Sequence, residues 1–502
     1  MTTPDLAHLG RTSSWEGVRA VVGGFGVSGF AAADTLQHLG ADVVVLDDSA
    51  DPALQDKATL LEILGVDVRL GPGSTAALPE IVDVVVTSPG WRPSTPLLLE
   101  AVARGIPVWG EVELAWRLRG DNPVPWLAVT GTNGKTTTVQ MLESILRAEG
   151  LRAMAVGNVG TPVLQAVMDP EPFDVLAVEL SSYQLHWSSS LSAEASAVLN
   201  VAPDHLDWHG DIAAYTADKS RIYDRAQLAC VYNVQDPTTE RLVEEAEVVE
   251  GCRAIGFTLG IPAPGMIGLV DDAIADRAFV TGRVSNAAEL GSIWDIGRPV
   301  SAASAVSAAS VGDTPAPTPA PHVVANALAA AALARAHGVS PRAVRDGLRA
   351  FTPDAHRIAD VDTIDGVRFI DDSKATNPHA ALASLRSFDH VVWIAGGLAK
   401  GAHFGDLVTS ARDRLRAAVL VGTDRSVIAE ALRRHAPEVP VVEVDTGETD
   451  PMDRVVEVAA SFAREGDTVL LAPGCASMDQ FRSYAARGES FVSSVRRLHD
   501  RS

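Results

Sequence analysis

The 502-residue sequence predicts three α/β domains in tandem, each a largely parallel sheet with helices packed against it. Three observations carry that prediction. Short apolar runs of strand length alternate with helical stretches in three successive blocks. Two glycine loops each fall between a strand and a helix, where parallel sheets place their ligands. Turn-forming stretches, Arg119-Gly-Asp-Asn-Pro-Val-Pro125 and Phe351-Thr-Pro353, part the blocks, so the expected boundaries are 1–116, 117–353 and 354–502.

In the first block the strand-like runs are Arg19–Gly23, Asp42–Leu46, Asp83–Thr87 and Ile106–Trp109. Gly24-Phe-Gly26-Val-Ser-Gly29 follows the first run and opens a helix, and Asp47 ends the second. Glycines let backbone approach a diphosphate, and a helix N-terminus stabilises its charge. This is a Rossmann-like start. The loop alone does not separate a nicotinamide dinucleotide from a UDP-sugar, nor either from a tight turn without ligand.

The second block opens on Trp126–Thr130 and continues Thr130-Gly-Thr-Asn-Gly-Lys-Thr-Thr137 before the amphipathic stretch Thr138–Ala148. Amides of such a loop surround nucleotide phosphates, Lys135 neutralises them and the Thr136 hydroxyl suits Mg²⁺. The loop departs from the standard pattern in carrying Val129 where a glycine would stand. It predicts a P-loop ATPase-like domain that binds ATP. Glu179 ends the strand Val175–Glu179, and Asp204-His205-Leu-Asp207-Trp-His209 follows the strand Ala195–Asn200. Magnesium prefers carboxylate and water oxygens, so the added histidine suggests a second, less usual metal position. A zinc hydrolase is the rival reading of that cluster, but no histidine pair at helical spacing supports it. Ser301–Pro321 is almost wholly Ser, Ala, Thr and Pro and is expected to be a mobile loop; Val323–Ala336, interrupted by Asn326 and Arg335, is expected to be a soluble helix. The third block brings strands at Val367–Asp371, His390–Ala395, Ala418–Val421 and Thr468–Leu471.

Net charge is −23, which argues against nucleic acid or an anionic membrane as partner, though local basic groups still admit anionic small molecules. Three cysteines without a CxxC pair suggest a reducing compartment, and Met1–Gly17 lacks the pattern of a signal peptide, so a cytoplasmic location without membrane insertion is expected. Only five of the 41 basic residues are lysine, and four of them (135, 219, 374, 400) lie in segments singled out on other grounds. An amine, rather than charge alone, is expected at those four.

The chain resembles the Mur ligases. The resemblance rests on Gly131-Thr-Asn-Gly-Lys-Thr136, Glu179-Leu-Ser-Ser-Tyr183, Asn200-Val-Ala-Pro-Asp-His205, Lys219-Ser-Arg-Ile-Tyr223, Asn326-Ala-Leu-Ala-Ala330 and His356-Arg357, in that order. Asp371-Asp-Ser-Lys-Ala-Thr-Asn377 and Ala472-Pro-Gly-Cys-Ala-Ser-Met-Asp-Gln-Phe481 point to the branch that adds D-glutamate. It implies an ATP-dependent ligase whose small-molecule substrates are UDP-N-acetylmuramoyl-L-alanine and D-glutamate, working as a monomer. It further implies that Gly131, Thr132, Asn133, Gly134, Lys135, Thr136, Thr137, Asn326, Arg357 and Asp372 meet ATP, and that Lys135, Lys219, His205 and Arg357 serve catalysis. Two Mg²⁺ ions are implied, one on Thr136 and Glu179, the other on His205 and a carbamate formed on Lys219. Val27, Ser28, Asp47, Ser88 and Gly90 are implied at the uridine-diphosphate site, and Asn158 and Ser182 near the acyl substrate. Thr376, Lys400, Ser477 and Tyr484 are implied at the D-glutamate pocket. Ser49 stands where some members carry arginine, Tyr484 where some carry phenylalanine, and the Ser301–Pro321 tract is an insertion.

Overall fold

The computed structural model describes residues 5–49, 51–120, 122–297, 319–353, 355–445 and 451–501. Their elements build three sheets. The first is wholly parallel, with spatial order β3-β2-β1-β4-β5 from β1 (Arg19–Gly23), β2 (Asp42–Asp47), β3 (Asp67–Leu70), β4 (Val84–Thr87) and β5 (Val108–Gly110). The chain reverses its direction of travel between β1 and β4. That is the switch point at which open parallel sheets bind ligands, and the first glycine loop lies there.

The central sheet has nine strands: β6 (Trp126–Thr130), β7 (Ala153–Gly157), β8 (Val175–Glu179), β9 (Ala195–Val198), β10 (Ala229–Asn233), β11 (Arg253–Phe257), β12 (Met266–Val270), β13 (Ala273–Asp276) and β14 (Ala288–Ser292). Their order is β14-β13-β12-β11-β10-β9-β6-β8-β7, parallel except for the β12-β13-β14 edge. Every residue of β6 and β8 is buried, the pattern expected of parallel strands covered on both faces. The helix Lys135–Ala148 lays Met141, Leu142, Ile145 and Leu146 against this sheet without exposure. Truncating any of these to alanine would cost about 2–5 kcal/mol. The helix Pro321–Ala336 is buried nearly throughout, from Val324 to Ala334, and shares a hydrophobic core with sheet residues such as Leu127, Ala197 and Val231.

The third sheet runs β15-β16-β20-β17-β18-β19, from β15 (Ala359–Ile364), β16 (Val367–Asp371), β17 (Val391–Gly396), β18 (Leu415–Val421), β19 (Val441–Glu443) and β20 (Thr468–Leu471). Only β15 is antiparallel to its neighbour.

Three of the element ends that differ from expectation have a local reason. Pro107 lacks an amide hydrogen, and β5 begins after it. Asp83 is not a strand residue, because its carboxylate receives the Arg19 amide at 2.9 Å and the Arg19 guanidinium at 2.7 Å. β9 stops at Val198, freeing Asn200 to turn toward the loop after β6. The serine-alanine-proline tract lies outside the described residues except for its last three. Of these Pro321 is not loop but the first helical residue, a position where a missing amide hydrogen costs nothing.

The described residues cluster into two compact units. One comprises residues 1–201, 212–319 and 323–351, with the first two sheets; the other comprises 202–211, 320–322 and 352–502, with the third.

Candidate active site

The loop after β6 is held from several directions. Gly134 has φ +86°, and a Cβ there would come within 2.3 Å of the Asn326 Oδ1 carried by the helix Pro321–Ala336, so glycine is required. The Asn133 amide donates to Asn200 Oδ1 at 2.9 Å, and Asn200 Nδ2 donates back to the Asn133 carbonyl at 3.0 Å. The Thr132 amide donates to the Asn200 carbonyl at 2.9 Å, and the Thr132 hydroxyl meets the Tyr215 hydroxyl at the same distance. Asn200 and Tyr215 were not among the residues expected at the site. Asn200 was visible in a quoted motif, whereas Tyr215 gave no signal because its partner lies 83 positions away.

Two lysines converge on this loop. Lys135 Nζ donates to the Gly131 carbonyl at 2.9 Å and the Thr132 carbonyl at 3.0 Å. The buried Lys219 Nζ reaches the same Gly131 carbonyl at 2.9 Å and the Thr130 hydroxyl at 3.4 Å. Two cationic side chains on one loop carbonyl suit the site to an anion. The loop amides and the N-terminus of a 14-residue helix that opens at Lys135 add to the preference. Thr132, Thr136 and Thr137 are all buried around it.

β8 lies beside β6, with Glu179 in register with Val129. Asn158 holds Glu179 twice, its Nδ2 donating to Oε1 and its amide to the Glu179 carbonyl, both at 2.9 Å. Glu179 Oε2 is buried and has no hydrogen-bond partner among the described residues. A buried carboxylate oxygen left so is costly, and a divalent cation would supply the missing partner. Among the described residues no group of three or more His, Cys, Asp or Glu side chains gathers as a metal cage. One carboxylate with a neighbouring hydroxyl is instead the sparse protein contribution usual for Mg²⁺ on substrate phosphates. Ser182 is the buried first residue of the short helix Ser182–His186, which the Ser181 side chain caps. His205 belongs to the second compact unit; it is exposed, in a left-handed conformation, with Nε2 3.6 Å from Asp204 Oδ2.

At the first glycine loop, Asp47 Oδ2 accepts from the Phe25 amide at 2.6 Å and Oδ1 from the Ser49 amide at 2.8 Å. Ser88 binds the loop from β4, its hydroxyl donating to the Gly24 carbonyl at 3.2 Å. Val27 and Gly90 are exposed and Ser28 half-buried at the mouth.

In the second unit, β16, β20 and β17 lie side by side, so the loops leaving their carboxyl ends meet. These are the loops of Thr376, Ser477 and Lys400. Leu398 and Ala476 exchange backbone hydrogen bonds at 2.9 and 3.0 Å, joining two of them. Ser477 is buried, Thr376 half-buried, and Lys400 exposed at φ +49°. Tyr484 opens the helix Tyr484–His499, with the Lys374 ammonium 4.1 Å from its ring centre. Asp372 is buried, accepts a short hydrogen bond from the Ser384 hydroxyl, and has its pKa pushed up to about 6 by burial, against the opposing pull of that bond and of the Arg357 charge.

The three sheets correspond to matches with three family models: "Mur ligase MurD-like, N-terminal domain" over residues 18–110, "Mur ligase middle domain" over 129–334 and "Mur ligase, glutamate ligase domain" over 356–475. The UDP-N-acetylmuramoylalanine–D-glutamate ligase of Streptomyces coelicolor is 58% identical across 97% of this chain and 99% of its own length. The Mycolicibacterium smegmatis protein of the same name is 45% identical across 98% of both. Among solved structures, MurF of Acinetobacter baumannii superposes with a TM-score of 0.55 at 17% identity, covering 97% of this chain and 92% of the other. The UDP-N-acetylmuramate-alanine ligase of Thermotoga maritima gives 0.53 at 18%, covering 96% and 99%; at such identities the likeness concerns the fold. From its three domain matches and its full-length relatives, this chain belongs to the Mur ligase family.

Proposed function

We propose that the protein is the ATP-dependent ligase that joins D-glutamate to UDP-N-acetylmuramoyl-L-alanine during peptidoglycan precursor synthesis. The observation that carries this reading is identity of 58% along 97% of the chain to a ligase of that name. The chemistry available at the site agrees with it. A carboxylate is a poor electrophile, so amide synthesis begins with transfer of the ATP γ-phosphoryl group to the L-alanyl carboxylate. The amine of D-glutamate then attacks the acyl phosphate, and phosphate leaves from the tetrahedral intermediate. Lys135, the loop amides of Gly131 to Gly134 and Arg357 would stabilise charge on the transferred group. Mg²⁺, when bound, neutralises charge on the phosphate oxygens. Glu179 and Thr136 would hold one ion; His205 and a carbamate on Lys219 would serve a second. Asn326, Asp372 and Thr137 would orient the nucleotide. Asn158 and Ser182 would border the acyl group, and Val27, Ser28, Asp47, Ser88 and Gly90 the uridine diphosphate. Thr376, Lys400, Ser477 and Tyr484 would receive D-glutamate.

The assignment of one substrate to each of the domains 1–116, 117–353 and 354–502 belongs to the same proposal, as do a monomeric state and a cytoplasmic location. Among the described residues no helix is long and apolar enough to cross a membrane. An oxidoreductase built on the first glycine loop would give Lys135, Lys219 and Glu179 no task. The test is mass-spectrometric detection of product from UDP-N-acetylmuramoyl-L-alanine, ATP and each of several amino acids. Product with D-glutamate alone is expected; product with another amino acid and not D-glutamate would overturn the assignment.

A further inference from the structure

Arg487, one turn into the helix Tyr484–His499, is almost completely buried, yet among the described residues no carboxylate forms an ion pair with it. Its guanidinium donates instead to four oxygens. Nε reaches the Ser373 hydroxyl at 3.0 Å and Nη2 the Ser373 carbonyl at 2.9 Å. Nη1 reaches the Cys475 carbonyl at 3.1 Å and the Gly396 carbonyl at 3.4 Å. Ser373 and Cys475 stand on the loops that follow β16 and β20, and Gly396 is the last residue of β17, from which the third loop leaves. The Ser373 hydroxyl donates in turn to the Tyr484 carbonyl at 2.7 Å, closing the circuit on the helix that carries Arg487.

Asp479 and Asp371 act on the guanidinium without pairing with it, and burial still pulls its pKa down to about 10. Burying a guanidinium without a paired carboxylate is expensive, and an apolar side chain of similar volume would ordinarily serve stability as well. What an apolar side chain lacks is a flat fork of five donors in fixed directions, and lysine lacks it too. Two loop carbonyls, the carbonyl at the end of β17 and a hydroxyl are tied to one rigid group. We propose that Arg487 is a positioning residue that sets the spacing of the three loops receiving D-glutamate, and so acts on amino-acid affinity through Thr376, Lys400 and Ser477. The proposal rests on the placement of the D-glutamate pocket given above.

Steady-state kinetics on the full chain, varying each of the three substrates in turn, test it. Arg487→Lys keeps the charge and loses the fork. It is expected to raise the D-glutamate KM by about tenfold, the scale set by losing a buried polar contact. The KM values for ATP and the UDP-substrate should move less than threefold. An unchanged D-glutamate KM, or an equal rise in all three, overturns the proposal, the second outcome marking a merely structural role. If Arg487→Lys does not fold, as judged by its Tm, Ser373→Ala removes one acceptor and leaves the guanidinium; a rise confined to D-glutamate is again expected, and its absence overturns the proposal. Lys400→Ala separates the two readings. A D-glutamate KM unmoved by Lys400→Ala means that the pocket is misplaced. A rise there with none in the Arg487 variant refutes only the positioning role.

Discussion

The loops that follow β1 and β6 are the same device used twice. Each leaves the carboxyl end of an interior strand in a parallel sheet, turns through glycine and opens a helix whose N-terminus faces the turn. They differ in what surrounds them. The loop after β1 is closed on itself by a carboxylate, with both Asp47 oxygens occupied by the Phe25 and Ser49 amides. The loop after β6 is braced by neutral Asn133–Asn200 and Asn326 contacts and receives two ammonium groups. A glycine turn therefore sets only that backbone can come close to a ligand. On the proposed function, the two ammonium groups, Lys135 from the helix that follows the turn and Lys219 from the helix Ile212–Ser220, are what would suit the loop after β6 to a reacting phosphate.

The comparison breaks most sharply at Lys135. Lys135→Ala is expected to lower kcat by about 10³-fold or more through lost neutralisation of the transferring phosphoryl group, with Tm nearly unchanged. Near-normal turnover by the folded variant would remove the distinction between the loops. Lys219 tests whether the second ammonium is there for its charge. Lys219→Arg keeps charge but has no amine to add CO₂, and a loss of about 10²-fold is expected. Lys219→Ala should recover part of its activity with added formate or acetate; full activity in Lys219→Arg would mean that charge suffices.

Glu111 joins the two regions. It follows β5 of the first sheet, and its Oε1 accepts the Leu164 amide from the helix Val163–Val167, which follows β7 of the central one, at 2.6 Å. Burial pushes its pKa from an ordinary 4.5 up to about 7, only partly opposed by that hydrogen bond. Because the folded value is the higher, the folded state binds the proton more tightly. The linked stability is complete below pH 4.5, declines as pH rises from there and is lost above about 7, a span of at most about 3 kcal/mol. Glu111→Gln should flatten the fall in Tm between pH 5 and 8, measured by scanning calorimetry, and an unaltered slope would refute this account. The smallest effect is expected at the first loop. Asp47→Ala frees the Phe25 and Ser49 amides and should raise the KM of the UDP-substrate about tenfold, leaving that of ATP within threefold. A larger effect on ATP would reverse the roles of the two loops.

Much of this was legible because the chemistry is local in the chain. The apolar runs at Arg19–Gly23, Trp126–Thr130, Val175–Glu179, Val367–Asp371 and Thr468–Leu471 begin and end in the structure where their apolar patterns do. A strand buried on both faces leaves little choice of residue. Gly131 to Thr137 supplies a whole phosphate loop from seven consecutive residues. Strands β3, β7, β10 to β15 and β19 carry no expectation from the sequence, since short runs such as Ala273–Asp276 are too brief and mixed to announce a strand before a partner exists.

By itself the sequence determined that there are three α/β blocks, where the glycine loops fall, and which few lysines stand among so many arginines, because each is a property of neighbouring residues. Only the tertiary structure decided that Glu179 and Asn200 flank β6, that Lys135 and Lys219 share the Gly131 carbonyl, and that Arg487 ties Ser373, Gly396 and Cys475 together. Those contacts follow from strand order. Nothing in the local pattern orders β16, β20 and β17 as neighbours when β20 comes some 70 residues after β17 in the chain, and it is the burial of two faces of one sheet that brings their ends together.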